Sequence, residues 1–183
     1  KGKKVLITGH TGFKGSWLSI WLSELGAKVI GYSIDPPTQP NNFDLCRLYD
    51  KVVDIRGDVR DYEKLEHVIK EYSPQIVFHL AAQPIVLLSY DSPKETLDVN
   101  VGGTVNVLEA LRRTKIARAF VGITSDKCYE DRNMVWGYRE TDPLGGFDPY
   151  SASKAMAELA IASYRNSFFP PEKHGDHSLA VAS

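Results

Sequence analysis

Residues 4–15 read KVLITGHTGFKG, and this stretch decides the fold. Its apolar run predicts a short buried strand. Gly9, Gly12 and Gly15 come next, and an apolar helical pattern begins directly after them. Glycines at such a junction allow a tight turn and let the backbone approach a bound group, while the helix N-terminus offers free N–H groups to an anion. The stretch therefore predicts a phosphate-binding turn, which we favour over a plain turn.

Downstream, apolar runs typical of strands alternate with helical patterns. Strands are predicted at residues 28–33, 51–55, 75–80 and 117–124, with a last one beginning at 178–183. Helices are predicted after Gly15, after Asp61, at 93–113 and at 149–168. This alternation implies parallel strands with right-handed crossovers. We predict one doubly wound α/β domain over residues 1–183, a Rossmann sheet in three layers, α/β/α.

Two helices carry specific packing expectations. The first places five apolar side chains on one face: Trp17, Leu18, Trp21, Leu22 and Leu25. The helix at 93–113 has leucines and valines spaced for burial along its length: Leu97, Val101, Val105, Leu108 and Leu111. Asp61 is an N-cap residue, and we expect loops at 35–42 and 132–148 because both stretches are rich in turn residues.

Composition excludes several classes of protein. A formal net charge of −1 gives no electrostatic basis for binding nucleic acid or an anionic membrane. Cys46 and Cys128 have no metal-type spacing and are expected to be reduced thiols in a cytoplasmic protein. No metal site is predicted, since His174 and His177 lie in an expected loop. The chain stops where a strand begins, so we expect a fragment of a longer protein.

The segment directly after the predicted strand at 117–124 concentrates proton-carrying groups. Ser125, Asp126 and Lys127 come first, and Tyr150 and Lys154 lie four apart on one helical face. A nearby ammonium lowers the pKa of a phenol and so prepares it to act as a base. Adjacent residues on an extended chain point to opposite sides. For Asp126 and Lys127 to reach one substrate, an irregular backbone is needed here.

Two acidic residues are candidates for the nucleoside end of a dinucleotide. Asp35 comes after the second predicted strand and either accepts hydrogen bonds from a ribose, which favours NAD, or starts the loop. Lys14 and His10 offer an alternative, contact with a 2′-phosphate, so NADP is not excluded. Asp58 either accepts from an adenine amino group or forms a turn.

These motifs together resemble the extended short-chain dehydrogenase/reductase superfamily. The resemblance rests on the spaced glycines, on Tyr150-x-x-x-Lys154, on Gly57-Asp58-Val59, on His79-Leu80-Ala81-Ala82 and on Asn100-Val101-x-Gly103-Thr104. It covers almost the entire chain and implies an NAD(P) site. The implied cofactor contacts are Gly9, Thr11, Gly12, Phe13, Gly15, Asp35, Asp58, Val59, Leu80, Ala81, Ala82, Gln83, Tyr150 and Lys154.

Within the superfamily, the segments at 124–129, 136–140 and 145–151 resemble the CDP-glucose 4,6-dehydratase subfamily. Related dTDP-glucose dehydratases have a glutamate where this chain has Lys127. Two departures are that residues 85–88 lack the subfamily's basic residue and that Ala152 stands where asparagine is common. The resemblance implies a lyase of deoxysugar biosynthesis, as for lipopolysaccharide O-antigen, acting on CDP-glucose.

The resemblance also implies roles for six residues. Tyr150 and Ser125 act on the sugar 4-hydroxyl during oxidation at C4, with Lys154 supporting Tyr150. Asp126 protonates the departing 6-hydroxyl, Lys127 acts as or positions the base at C5, and the hydride returns to C6. Asn100 orders a water or the adjoining backbone. The alternatives are a sugar-nucleotide epimerase or reductase, or an NAD(H)-binding module without turnover.

The resemblance further implies a substrate lobe beyond Ser183 and a homodimer or homotetramer formed through the helices at 93–113 and 149–168.

Overall fold

The computed structural model describes residues 1–170 and 179–183, and these include the strands of a single parallel sheet. The strands are β1 (Lys4–Thr8), β2 (Lys28–Ser33), β3 (Val53–Arg56), β4 (Ile76–His79), β5 (Ala119–Gly122) and β6 (Ala180–Ala182). Their order is β3-β2-β1-β4-β5-β6, and every neighbouring pair is parallel. This is the doubly wound order, so the predicted Rossmann class is confirmed.

Helices connect the strands. They are α1 (Phe13–Glu24), α2 (Asn42–Leu45), α3 (Tyr62–Tyr72), α4 (Val86–Asp91), α5 (Pro93–Leu97), α6 (Gly103–Thr114) and α7 (Pro149–Phe168). The bounds of α7 are as predicted, and Asp61 caps α3 by accepting the Lys64 backbone N–H at 3.0 Å. The short helices α2 and α4 were not predicted.

The predicted helix over residues 93–113 is wrong in its middle. A π-helical turn, Asp98–Gly102, separates α5 from α6. A π turn holds one more residue than an α-helical turn. Leu108 and Leu111, on its C-terminal side, are buried as expected, whereas Leu97, Val101 and Val105 are only partly buried. Asn100, at the centre of the turn, makes its side-chain bonds outside the helix, and these stabilise the wider turn.

Alternate side chains of the central strands enter two different cores. Leu6, Val77 and Phe120 belong to the larger core, which α3, α6 and α7 cover. Val5 and Ile7 point the other way, to a smaller core beneath α1. The sheet therefore has helices on both faces, as a three-layer fold requires.

The predicted apolar face of α1 needs correction. Leu18 and Leu22 pack on the smaller core, but Trp17 is 53% exposed and Trp21 is 64% exposed. Three small residues of the same helix are buried instead: Gly15, Ser16 and Ser19. Small side chains bring the helix axis close to the sheet, and the large aromatic side chains are left on the outer side.

No helix in the described residues is long and apolar enough to cross a membrane. The predicted loop with His174 and His177 lies outside the described residues, as does Ser178.

Candidate active site

Three chain segments meet at one edge of the sheet because their strands end in register. Thr8 pairs with His79, and His79 pairs with Gly122, so β1, β4 and β5 stop at the same level. These strands lead into the glycine turn, the segment 80–83 and the segment 123–128. The chain winds in opposite directions from β1 and β4, and such a switch point is where open α/β sheets bind ligands.

The glycine turn has the shape of an anion cradle. Gly9 has φ +78°, and a Cβ atom on Gly15 would lie 2.1 Å from the Gly9 carbonyl oxygen. Both positions therefore require glycine. A Cβ on Gly12 would meet only that oxygen, at 3.4 Å, so Gly12 faces open space. The N-terminus of α1 has no side-chain cap, and its N–H groups are available to a phosphate.

Thr11 ties this turn to the end of β2. Its hydroxyl lies 2.8 Å from Ser33 Oγ and donates to the Ile34 carbonyl at 3.1 Å. Thr11 is buried, whereas the neighbouring Phe13 is 74% exposed. Thr11 thus holds the turn in place, and any contact it makes with a cofactor comes from its backbone.

A charged cluster lies at the ends of β2 and β3, where the ribose was expected. The Asp35 side chain is 91% exposed, and its Oδ1 lies 3.5 Å from Arg56 Nη1. Arg56 Nη2 also pairs with Asp54 at 2.9 Å. The expectation that His10 contacts a 2′-phosphate is wrong, because His10 is fully buried and its Nε2 bonds to Asp54 at 2.8 Å.

Asp58 and Val59 form the turn after β3. The Asp58 carboxylate accepts three hydrogen bonds from the Arg60 side chain and one from the Arg60 backbone N–H. The side-chain bonds to Arg60 are the main cause that lowers the pKa of Asp58. Val59 is buried in the larger core, and its carbonyl accepts from Asn106. The turn-forming role of Asp58 is the one that the structure shows.

The segment after β4 is held mainly through its backbone. The Leu80 N–H donates to the Thr8 carbonyl, and the Ala81 N–H donates to Thr8 Oγ1 at 3.2 Å. Ala82 and Gln83 come next, half-buried. The Gln83 amide group bonds to Ile85 and Thr96, so this side chain braces the loop.

The segment after β5 has an irregular backbone, which is the condition for Asp126 and Lys127 to reach one substrate. Asp126–Cys128 is a 3₁₀ turn with Ser125 as its N-cap, and Ser125 Oγ accepts from the Lys127 N–H at 3.2 Å. The Ser125 hydroxyl also donates to Asp126 Oδ1 at 3.0 Å. The side chains of Asp126 and Lys127 are exposed and line one groove of about 490 Å³. The turn therefore lets both reach one ligand.

That groove suits an uncharged group better than a diphosphate. The carboxylates of Asp126, Glu130, Asp131 and Asp148 line it, and Lys127 is the cationic side chain among its lining residues. Two further lining residues, Tyr129 and Tyr138, stack with ring centroids 5.4 Å apart. Four carboxylates against one ammonium repel an anion.

Tyr150 and Lys154 lie one turn apart on α7, with Lys154 Nζ 5.9 Å from the centre of the Tyr150 ring. Lys154 is only 7% exposed, and Nζ donates to the Ile123 carbonyl at 3.4 Å. Burial, followed by repulsion from Lys14, lowers the pKa of Lys154 to about 8. Lys14, in the first turn of α1, is therefore close enough to Lys154 for their charges to repel each other.

Asn100 forms hydrogen bonds with the backbone of the segment after β4 and with α7. Its Oδ1 accepts the Gln83 N–H at 2.8 Å, and its Nδ2 donates to the Gln83 carbonyl and to Ser153 Oγ. Ser153 in turn donates to the Tyr150 carbonyl at 2.6 Å. Asn100 therefore joins the segment after β4 to the first turn of α7.

The prediction missed several residues that support this site. Thr124 donates to Glu158, one helical turn beyond Lys154, and Glu158 opposes the lowering of the Lys154 pKa. Thr8, His79 and Thr104 form a buried polar chain behind Asn100. A histidine at the end of an apolar strand was the visible signal for that chain.

The chain matches the family described as GDP-mannose 4,6 dehydratase over residues 6–171. It belongs to this family. The chain is 55% identical to CDP-glucose 4,6-dehydratase of Salmonella typhimurium, over 100% of this chain and 51% of the relative. It therefore spans about half the length of that enzyme.

Solved structures agree with this family. A dTDP-glucose 4,6-dehydratase from Bacillus anthracis, in complex with NAD, superposes with a TM-score of 0.76 at 26% identity, covering 98% of this chain and 54% of that one. An epimerase from Methanothermobacter thermautotrophicus gives a TM-score of 0.80 at 30% identity, covering 92% and 49%.

Proposed function

We propose that the chain is the cofactor-binding and catalytic half of an NAD-dependent CDP-glucose 4,6-dehydratase. The observation that carries the proposal is the 3₁₀ turn that exposes Asp126 and Lys127 to one groove beside α7. Oxidation alone needs Tyr150 and Lys154, whereas elimination of water also needs an acid and a base. The identity of 55% to a CDP-glucose 4,6-dehydratase supports the choice of nucleotide.

The residues at the sheet edge fit NAD. The uncapped N-terminus of α1 and the open side of Gly12 suit the pyrophosphate, and Lys154 suits the nicotinamide ribose. Asp35 would serve the adenosine ribose. NAD, when bound, supplies the chemistry of accepting a hydride from C4 and returning it to C6.

Tyr150 removes the proton of the sugar 4-hydroxyl. The ammonium of Lys154 stabilises the phenolate that this requires, since the two side chains lie on one face of α7. The Ser125 hydroxyl donates to the same sugar oxygen, for which it must turn away from Asp126. The ketone at C4 then makes the C5 proton acidic.

Lys127 removes the C5 proton, and Asp126 protonates the departing 6-hydroxyl, which leaves as water. The neutral amine of Lys127 takes one proton and the carboxylic acid of Asp126 gives one, so the step begins with the neutral pair and ends with an ammonium and a carboxylate. Both side chains are exposed at the groove. The remaining half of the protein would bind the nucleotide, because the acidic groove does not suit the diphosphate.

We also propose a cytoplasmic location and a role in deoxysugar formation, as for O-antigen. The two cysteines are free thiols, which suits a reducing compartment.

Pairing of subunits would use α7, whose Met156 is 45% exposed and Leu159 is 58% exposed. Residues 93–113 were also expected to form a subunit contact, but none of their large apolar side chains is fully exposed. The exposed side chains of Leu87 and Tyr90 on α4 would take that place.

The test is to incubate the full-length protein and NAD with CDP-glucose, dTDP-glucose and GDP-mannose and to measure product mass. We expect a product from CDP-glucose that is lighter by one water and absorbs ultraviolet light in alkali. A product of unchanged mass would support an epimerase, which the TM-score of 0.80 to an epimerase makes the second candidate. NAD binding without product would support a binding module.

A further inference from the structure

A chain of buried polar side chains runs behind the candidate active site. Thr8, His79, Thr104 and Asn100 are each at most 4% exposed. His79 Nδ1 lies 2.7 Å from Thr8 Oγ1, and its Nε2 lies 3.1 Å from Thr104 Oγ1. Thr104 Oγ1 donates to the Asn100 carbonyl at 2.6 Å. These bonds link β1, β4, the π turn and α6.

Only one arrangement of protons satisfies every member. The Ala81 N–H can only donate, so Thr8 Oγ1 accepts from it and gives its own proton to His79 Nδ1. His79 then carries its proton on Nε2 and donates to Thr104, whose hydroxyl proton goes to the Asn100 carbonyl. In the other tautomer, the Thr8 hydroxyl proton has no acceptor and Thr104 cannot donate to the Asn100 carbonyl. Both losses are costly in a buried place.

A neutral His79 is what this chain of bonds needs. Complete burial, followed by repulsion from Lys154, lowers the pKa of His79 to about 3. The ring is therefore uncharged wherever the enzyme is folded and working, and it acts as a fixed donor and acceptor.

The chain of bonds ends on the groups that position the reaction. The Asn100 carbonyl belongs to the π turn Asp98–Gly102, whose hydrogen bonding is irregular. The Asn100 side chain holds the Gln83 backbone and donates to Ser153, and Ser153 donates to the Tyr150 carbonyl. A shift of the π turn would therefore move the first turn of α7.

We propose that His79 is a positioning residue that, through Thr104, keeps the Asn100 turn in register with Tyr150 and Lys154. This rests on the proposed function only for its effect on turnover. A displacement of catalytic groups by a fraction of an ångström lowers the rate while binding energies change little.

The test is Thr104→Val, which removes the hydroxyl and keeps the shape. In the full-length protein we expect kcat to fall about tenfold, with the NAD dissociation constant and the KM for CDP-glucose changed by less than about twofold. Thr104→Ser should restore kcat. Thr114→Val is the matched control, because Thr114 makes the same bond to a carbonyl four residues earlier on α6, at 2.8 Å from Ala110, away from the site.

Two readouts do not depend on turnover. The Gln83 amide hydrogen, which donates to Asn100, should exchange faster in Thr104→Val and not in Thr114→Val. The nitrogen-15 spectrum of the wild-type protein should show the His79 proton on Nε2. If the wild type converts no sugar nucleotide, the proposed function fails, and these two measurements still decide the positioning role.

Three results would overturn the inference: a His79 proton on Nδ1, unchanged Gln83 exchange in Thr104→Val, or a loss of kcat that Thr114→Val shares.

Discussion

Lys154 and Lys127 belong to one candidate site but lie in opposite surroundings. Lys154 is buried, bonded to a carbonyl and shifted in pKa to about 8. Lys127 is exposed, and its Nζ makes no hydrogen bond or ion pair with the described residues. The difference shows that packing fixes the position of Lys154 and leaves the side chain of Lys127 unrestrained. Under the proposed function, the oxidation groups would therefore be held more firmly than the elimination groups.

The largest expected effect is on the buried side. Tyr150→Phe removes the proton acceptor and should lower the rate of C4 oxidation by about 10³-fold, because general acid–base catalysis contributes about that much. The NAD dissociation constant should change little. Stopped-flow absorbance of reduced nicotinamide measures the rate, and Tyr164→Phe on the same helix is the control. Oxidation within tenfold of wild type would remove Tyr150 from this role.

Lys154→Met separates function from stability. The folded-state pKa lies below the ordinary 10.5, so keeping the charge at pH 7 costs the folded state free energy, and this cost is absent above pH 10.5. We therefore expect Tm at pH 7 to stay the same or rise while oxidation falls about 100-fold. Thermal unfolding and single-turnover kinetics check both parts; a clear drop in Tm contradicts the cost of burial.

On the exposed side, Lys127→Ala and Asp126→Asn should impair elimination and spare oxidation. We expect dehydration to fall about 100-fold in each variant. For Lys127→Ala, exchange of the C5 proton of the 4-keto sugar into deuterated water is the measurement, with Lys51→Ala as the control. Undiminished exchange would mean that Lys127 is not the base. A wild-type rate of dehydration in Asp126→Asn would mean that Asp126 is not the general acid.

The glycine turn allows a matched pair of substitutions, at Gly12 and at Gly15. Gly15→Ala places a Cβ 2.1 Å from a carbonyl oxygen and should destabilise the fold by about 2 kcal/mol. Gly12→Ala has room in the protein and should leave Tm unchanged while weakening NAD binding about tenfold, because the methyl group fills the cradle. An equal loss of Tm in both variants would show that Gly12 has no room for a methyl group, and unchanged NAD affinity in Gly12→Ala would show that Gly12 does not face the ligand.

The smallest effect concerns pH. Lys154 loses its proton as pH rises through about 8, and Lys14 contributes to that low value. NAD phosphates at the turn would favour the charged form, so NAD affinity should weaken severalfold as pH rises above 8. Calorimetric titration at several pH values tests this, and the slope should disappear in Lys154→Met.

The order of strands and helices could be predicted better than the hydrogen bonds that support the site. The alternation of strands and helices gave the doubly wound order, and Asp61 marked the start of α3. These features depend on residues close in sequence, whose turn and cap preferences are local.

The features that could not be predicted depend on contacts between distant residues. The π turn at Asn100 is stabilised by Gln83 and Ser153, which lie 17 and 53 residues away. Likewise, the aromatic side chains of α1 face outward because its small residues pack on the sheet, and the apolar pattern alone cannot show which side does so. His10 was considered as an alternative contact for a 2′-phosphate, but it is buried against Asp54 and does not reach the surface.

In the proposed mechanism, oxidation and elimination are carried by separate parts of this site. The most direct test is the double variant Asp126→Asn/Lys127→Ala of the full-length protein, mixed once with CDP-glucose and NAD. We predict that absorbance of reduced nicotinamide rises at close to the wild-type rate and then persists, with no loss of water from the sugar. Failure to form reduced nicotinamide, or release of dehydrated product at the wild-type rate, would contradict the claim.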